Sequence, residues 1–149
     1  SNGMMTIKSK IPIEQREELL EIDQGQWAGR RRDEIYTQDV LAQIEADPWE
    51  FKAPGGESQK DVEIRLMNFM ETLLTKHKRS DKAVVIGLFS HGMALRCLLR
   101  GILKSDPAMT WKLQTTNCGI TEIWHDPRVG WRVIRFNQYP DNSLPHSKL

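Results

Sequence analysis

The sequence predicts an α/β fold with a mostly parallel sheet, and two neighbouring patterns carry that prediction. Residues 84–90 form an uninterrupted apolar run with the length and β-branched content of a strand buried on both faces, which is typical of parallel sheets. Residues 93–103 then place apolar side chains three and four positions apart, which predicts an amphipathic helix. His91 and Gly92 therefore lie where a strand leads into a helix, a place where α/β proteins bind ligands and unpaired N–H groups attract anions.

The segments before this unit alternate between loops and helices. Residues 14–29 begin polar and end with two glycines that bracket a tryptophan, which predicts an irregular loop. Residues 30–46 suit a helix that Pro48 brings to an end. Residues 53–56, Ala-Pro-Gly-Gly, have the composition of a tight turn.

The next elements have clear start and stop signals. A strongly helical pattern runs from residue 58 to about residue 78, and Ser58 followed by Asp61 predicts its N-terminal cap. Residues 119–124 and 131–136 are two β-rich runs around a turn that contains Pro127, which predicts a hairpin.

The whole chain, residues 1–149, is expected to form one domain, because its length supports a single core. Residues 1–10 are expected to be a flexible start, with Ser1 to Gly3 as a cloning remnant. Residues 137–149 are mostly polar and are expected to be a loosely ordered tail.

Charge and composition bear on partners and location. The 21 basic and 20 acidic residues produce no strong overall field, so neither nucleic acid nor an anionic membrane is an expected partner. The sequence contains no apolar window long enough for a membrane span and no secretory signal, which predicts a cytoplasmic protein. Cys97 and Cys118 form no Cys-x-x-Cys pair and are expected to be reduced and structural.

Three motifs follow one another along the chain, namely Leu20-Glu21-Ile22-Asp23-Gln24-Gly25-Gln26-Trp27-Ala28-Gly29, Pro54-Gly55-Gly56-Glu57-Ser58 followed by Arg65, and Ser90-His91-Gly92. In this order and at these distances, they resemble the carboxyl-terminal two-thirds of the histidine phosphatase superfamily, also called the phosphoglycerate mutase-like family. The resemblance covers about residues 11–136. It implies a three-layer αβα sandwich and a phosphatase or mutase that acts on a small phosphate monoester through a phosphohistidine, without metal or cofactor.

The resemblance also implies roles for three residues. Glu21 matches the acid that protonates the leaving alcohol, and His91 matches the second histidine, which binds the phosphoryl oxygens. The backbone N–H of Gly92 is a further candidate phosphate donor. Phosphoryl transfer needs charge stabilisation and a proton for the departing oxygen, so these residue types suit the reaction. The acids of the same stretch, Glu17, Glu18 and Asp23, are rivals of Glu21.

One departure from the family pattern is severe. The family's nucleophile belongs to an Arg-His-Gly motif after its first strand, and no arginine in this chain precedes a histidine. The other histidines, His77, His125 and His146, do not precede a glycine. We therefore expect the chain to begin partway into the domain, to lack the first strand and to be inactive alone. Loss of that strand is expected to expose apolar surface.

Three explanations of the missing half stay open: another chain supplies it, two copies cover each other as a homo-oligomer, or the chain is a fragment. The alternative function is an inactive binding or assembly module that retains an anion pocket.

Other patterns have simpler interpretations. His91 alone is compatible with a helix cap, and Trp27 is expected to pack the loop onto the core rather than stack on a substrate. The run 30–32, three arginines, is expected to be a solvated face. A serine hydrolase is disfavoured because one residue too many separates Gly87 from Ser90 for a nucleophile elbow. No pair of histidines has the spacing of a metal site.

Overall fold

The computed structural model describes residues 11–80 and 82–139, which form a mixed fold of helices and one hairpin. Single 3₁₀ turns at Glu17–Leu19 and Gly25–Trp27 shape the first loop. The regular elements are α1 (Arg32–Ile35), α2 (Gln38–Ala46), α3 (Gln59–His77), α4 (Gly92–Leu103), α5 (Met109–Lys112), β1 (Ile120–Asp126) and β2 (Gly130–Gln138).

The core lies between α3, α4 and the hairpin. Helix α3 supplies Val62 and Leu66, which are almost fully buried, and α4 supplies Ala94 and Cys97. Ile123, Trp131 and Val133 of the hairpin pack against the same cluster. The apolar stripes of the two helices therefore face each other, as their periodicity predicts.

The capping signal before α3 is confirmed. The Ser58 hydroxyl accepts a hydrogen bond from the Asp61 backbone N–H at 3.1 Å, and the Asp61 carboxylate accepts one from the Ser58 backbone N–H at 2.9 Å. These bonds satisfy two amides that the helix itself leaves unpaired. The Ser58 backbone N–H and the Ser58 hydroxyl, which donates to the same carboxylate at 2.8 Å, hold the pKa of Asp61 below its usual value.

The prediction of a single helix over residues 30–46 is wrong. The chain leaves α1 after Ile35 and starts again at Gln38, with Thr37 in an extended conformation between them. The Thr37 hydroxyl accepts a hydrogen bond from the Val40 backbone N–H at 3.4 Å and so caps α2. Threonine favours such a cap position over a helix interior, which explains the break.

The predicted buried strand at residues 84–90 is also wrong. The segment is assigned to no strand, and Val85 and Phe89 are 96% and 91% exposed. An apolar run becomes a buried strand only when neighbouring strands pair with its backbone, and no such neighbour lies within 11–80 or 82–139. The mostly parallel sheet is therefore not confirmed, whereas the expected exposure of apolar surface is observed.

The predicted hairpin is confirmed and is slightly longer than expected. Strands β1 and β2 pair antiparallel, with Trp124 opposite Arg132 and Asp126 opposite Gly130. Gly130 has a φ of +87°, a conformation that glycine adopts without strain, and it closes the turn. Strand β2 extends to Gln138, so it includes the first two residues of the expected tail.

Two expectations, the flexible start at residues 1–10 and the loosely ordered tail beyond residue 139, concern segments outside the described residues. In the part of the chain that is described, no helix combines the length and the apolar character needed to cross a membrane.

The core assignment yields a stability prediction for α3. We expect Leu66→Ala to lower the free energy of unfolding by about 2–5 kcal/mol, because it removes a buried side chain and leaves a cavity. Ile64 lies on the same helix but is 50% exposed, so we expect Ile64→Ala to cost less than about 1 kcal/mol. Urea unfolding of both variants measures the difference, and equal losses would contradict this core.

Candidate functional site

A cavity of about 930 Å³ lies where the first loop meets α3 and the start of α4. Side chains between Gln15 and Asp23 form one wall, and Glu57, Arg65 and His91 complete the lining. The cavity therefore brings together residues from all three sequence motifs.

The carboxylate of Glu21 binds the N-terminus of α4. One oxygen accepts the Ala94 backbone N–H at 2.9 Å, and the other accepts the Met93 backbone N–H at 3.1 Å. The N–H of Ile22 also donates to this carboxylate, at 3.0 Å. First-turn amides have no acceptor inside their own helix, so a carboxylate is a suitable partner for them.

His91 occupies the N-cap position of α4, beside the Glu21 carboxylate. Its backbone is extended, its carbonyl accepts the Leu95 N–H at 3.0 Å, and its side chain makes no capping hydrogen bond. The imidazole is exposed and lines the cavity. The His91 side chain therefore does not cap α4.

The neighbouring segments are joined to the same loop. The Ser90 hydroxyl donates to the Leu19 carbonyl oxygen at 2.7 Å, across 71 positions of sequence. Gly92, the first residue of α4, lies directly between His91 and the amides that Glu21 binds. The structure thus places the predicted site residues Glu21, His91 and Gly92 at one helix end.

Arg65 and Glu57 form an ion pair on the cavity wall. Two nitrogen atoms of the guanidinium donate to the two carboxylate oxygens, at 2.7 and 2.9 Å. Arg65 holds the pKa of Glu57 below its usual value, and Glu57 raises the pKa of Arg65. Because the pair is neutral as a unit, it attracts an anion less strongly than an unpaired guanidinium would.

Two glycines let the first loop and the 53–56 turn lie backbone to backbone. A Cβ atom on Gly25 would stand 2.4 Å from the Pro54 carbonyl oxygen, and one on Gly56 would stand 2.4 Å from the Asp23 carbonyl oxygen. The Gln26 N–H donates to Pro54 and the Glu57 N–H donates to Asp23, both at 2.9 Å. Gly25 and Gly56 are therefore required by close backbone packing.

The Trp27 ring packs against other aromatic side chains, with its centroid 5.9 Å from that of Tyr36 and 5.8 Å from that of Phe51, and neither partner belongs to the buried core cluster. The three arginines at 30–32 have local partners, such as Asp33 for Arg31 at 2.8 Å, as expected for a solvated face.

The rivals of Glu21 lie nearby but make other contacts. Glu17, Glu18 and Asp23 line the cavity, and the Asp23 carboxylate accepts the Gly25 N–H at 2.8 Å. Of the acids in the described part of the chain, Glu21 is the one whose carboxylate accepts the first backbone N–H groups of α4.

Neither cysteine lines the cavity. Burial raises the pKa of the Cys97 thiol to about 12, and both cysteines are free. Within the described residues, no three potential ligands cluster as a metal site requires.

The sequence did not indicate the cavity-lining role of Glu57. Glu57 belongs to the second motif without an implied role, and its partner Arg65 lies eight positions later, on α3. No local pattern distinguishes an arginine that binds a glutamate and two carbonyl oxygens from an ordinary helix-surface arginine.

Comparison with known proteins supports the motif-based resemblance. The sequence model of the histidine phosphatase superfamily (branch 1) matches residues 4–139. Phosphoserine phosphatase 1 of Hydrogenobacter thermophilus is 26% identical over 121 residues, which cover 79% of this chain and 55% of that protein.

Solved structures share the fold. YhfR of Bacillus stearothermophilus matches with a TM-score of 0.68 and 26% identity, over 85% of this chain and 62% of that one. A mutant phosphoserine phosphatase of Entamoeba histolytica in complex with phosphoserine matches with a TM-score of 0.68 and 21% identity, over 86% and 63%. A mycobacterial glucosyl-3-phosphoglycerate phosphatase with inorganic phosphate matches with a TM-score of 0.64 and 23% identity, over 82% of this chain and 63% of that one. The chain spans between 55% and 63% of the length of these relatives.

The lowered pKa of Glu57 predicts how stability changes with acid. A carboxyl group whose pKa is lower in the folded state stabilises the protein above its unfolded pKa, and that stability is lost as the pH falls through the folded pKa. We expect Glu57→Gln to cost about 1–3 kcal/mol at pH 7, because it removes charge-assisted hydrogen bonds. The difference from wild type is expected to shrink at pH values below the usual carboxyl range.

Urea unfolding between pH 7 and pH 3 measures this difference. Glu45→Gln is the matched control, because Glu45 is exposed on α2, and its difference from wild type is expected to stay small throughout. A Glu57→Gln cost that persisted unchanged in acid would contradict the assignment.

Proposed function

The chain belongs to the histidine phosphatase superfamily, branch 1, and we propose that it forms part of the active site of a phosphatase for a small phosphate monoester. The observation that carries this proposal is the meeting of the Glu21 carboxylate and the exposed imidazole of His91 at the N-terminus of α4. An acid, an imidazole and helix amides in one cavity are the groups that phosphoryl transfer from a monoester uses.

The proposed reaction has two steps. A histidine nitrogen attacks phosphorus, the bond from phosphorus to the alcohol oxygen breaks, and Glu21 in its acid form gives its proton to that oxygen. Water then attacks the phosphohistidine, the Glu21 carboxylate takes the proton of the water, and inorganic phosphate leaves. His91 and the Gly92 N–H donate to the phosphoryl oxygens in both steps. The chain requires no metal or cofactor in this scheme.

The nucleophile is not assigned to any residue of this chain, because none of its four histidines follows an arginine in an Arg-His-Gly motif. The cavity wall also carries more carboxylates than cations, and its Arg65 is neutralised by Glu57. The proposed active site therefore needs a nucleophile and cations from outside these residues, and the chain alone is expected to be inactive.

Hydrolysis is favoured over a mutase reaction. The relatives whose names state an activity are phosphatases for phosphoserine and glucosyl-3-phosphoglycerate. We propose a substrate of this small, polar, phosphorylated type, handled in the cytoplasm, where two free cysteines stay reduced.

The alternative function is a binding or assembly module that holds an anion or a partner without turnover. The lack of an Arg-His-Gly motif in this chain favours it. Such a module would keep a working anion pocket, whereas an incomplete active site would not.

Turnover and anion binding together test the two functions. With p-nitrophenyl phosphate between pH 5 and pH 8, we expect the chain to release phosphate at the background rate. Release that disappears in His91→Ala would overturn the inactivity of the chain. Calorimetric titration with vanadate then separates the functions, because weak binding that is lost in His91→Ala supports the module, and no binding supports the incomplete active site.

The exposed segment at 83–89 suggests a partner. Its side chains include Val85 and Phe89, whose exposure would be penalised by solvent, so we propose that a strand from a second chain or a second copy covers it. This is the homo-oligomer or partner chain that the motifs lead us to expect.

Molar mass in solution, measured by light scattering, tests the choice. If two copies cover each other, we expect a dimer that Val85→Asp converts to a monomer, since a buried charge would have no partner. Leu41→Asp is the control, because Leu41 is exposed on α2 and distant in sequence. A monomeric wild-type chain would show that two copies do not cover each other.

A further inference from the structure

Arg65 binds the backbone of the loop that carries Glu21. One guanidinium nitrogen donates to the Glu18 carbonyl oxygen at 2.7 Å, and another donates to the Glu21 carbonyl oxygen at 3.2 Å. These contacts span 47 and 44 positions of sequence. They attach an irregular loop to α3, a helix of 19 residues that belongs to the core.

The donors of Arg65 are nearly all used. A guanidinium has about five N–H groups, and those of Arg65 make two bonds to Glu57 and two to loop carbonyl oxygens. Both side chains are largely shielded, with 21% of Arg65 and 25% of Glu57 exposed. A guanidinium that is paired and saturated in this way is a poor ligand for phosphate, although it lines the cavity.

Glu57 extends the attachment past Glu21. Its carboxylate accepts the Asp23 N–H at 3.1 Å, and its own N–H donates to the Asp23 carbonyl oxygen at 2.9 Å. The backbone is therefore held before, at and after Glu21. The side chain of Glu21, in turn, is left to reach the amides of Met93 and Ala94.

We propose that the Arg65–Glu57 pair is the positioning device that holds the Glu21 carboxylate at the N-terminus of α4, and that Arg65 does not bind substrate. The functional meaning of this device rests on the proposed role of Glu21 as the proton donor. A general acid works only within hydrogen-bond reach of the leaving oxygen, so the backbone under Glu21 must be fixed. Arg65 and Glu57 are positioning residues because they act through Glu21.

Amide hydrogen exchange at Met93 and Ala94, followed by NMR, reports the position of Glu21 without any turnover. We expect Glu21→Ala to lower the protection of these two amides at least tenfold, which calibrates the measurement. Arg65→Met and Glu57→Gln are expected to produce a similar loss, although neither residue touches α4. The protection of the Leu66 amide, inside α3, serves as the reference for global stability.

The matched control is Arg100→Met. Arg100 of α4 pairs with Glu63 of α3, and this pair is buried to a similar degree, with 17% and 16% exposed. It joins α3 to α4 without a contact to the first loop, so we expect its loss to change the protection of the Met93 and Ala94 amides only in proportion to that of the Leu66 amide. A merely structural role of Arg65 would produce this proportional change as well.

The proposal is overturned if Arg65→Met leaves the protection of the Met93 and Ala94 amides unchanged relative to that of the Leu66 amide. It is also overturned if Arg100→Met lowers the protection of these two amides as much as Arg65→Met does. If Arg65→Met does not fold, Glu57→Gln carries the same test with a smaller change in volume. Failure of the proposed function is a separate outcome, because the amides report position even if Glu21 transfers no proton.

Discussion

The contact between the Glu21 carboxylate and the first amides of α4 is the interaction on which the rest of the site depends. Helix α4 begins inside the fold, where its unpaired N–H groups need acceptors, and its N-cap histidine does not supply one with its side chain. A carboxylate from 72 positions earlier does so instead. The same hydrogen bonds that satisfy the helix therefore bring an acid next to His91, so stability and site geometry come from one contact.

That contact requires that the backbone of the first loop be fixed by other parts of the fold. The 3₁₀ turns of the first loop contain three residues each, too few to fix a backbone by themselves. Their backbone groups bind other elements. The Glu18 carbonyl oxygen accepts from Arg65 on α3, and the Gln26 N–H donates to the Pro54 carbonyl oxygen in the 53–56 turn. Gly25 and Gly56 permit the close approach that the second partner needs. The first motif and the second are thus two halves of one structural unit, which explains why they occur together.

The sequence predicted those features that local interactions determine. The cap at Ser58 and the stripes of α3 and α4 depend on residues three or four positions apart, so the sequence displays them directly. The prediction of a strand at 84–90 was wrong because a strand needs a second strand to pair with its backbone, and an apolar run does not reveal whether that distant segment is present. For the site, the motifs single out Glu21 and His91, and both residues line one cavity. They did not reveal that Glu21 would bind Met93 and Ala94, because that geometry depends on the Arg65 attachment.

The exposed segment and the site are physically connected. Residues 83–89 lead through Ser90 into His91, and the contacts of Leu88 with the core and of the Ser90 hydroxyl with the Leu19 carbonyl oxygen hold the end nearest the helix. A strand that paired with this segment would give its backbone the hydrogen bonds of a sheet and would order the approach to His91. It would also remove Val85 and Phe89 from water, which lowers the free energy of the covered state. Covering the segment and completing the site are therefore expected to occur together, because one backbone carries both.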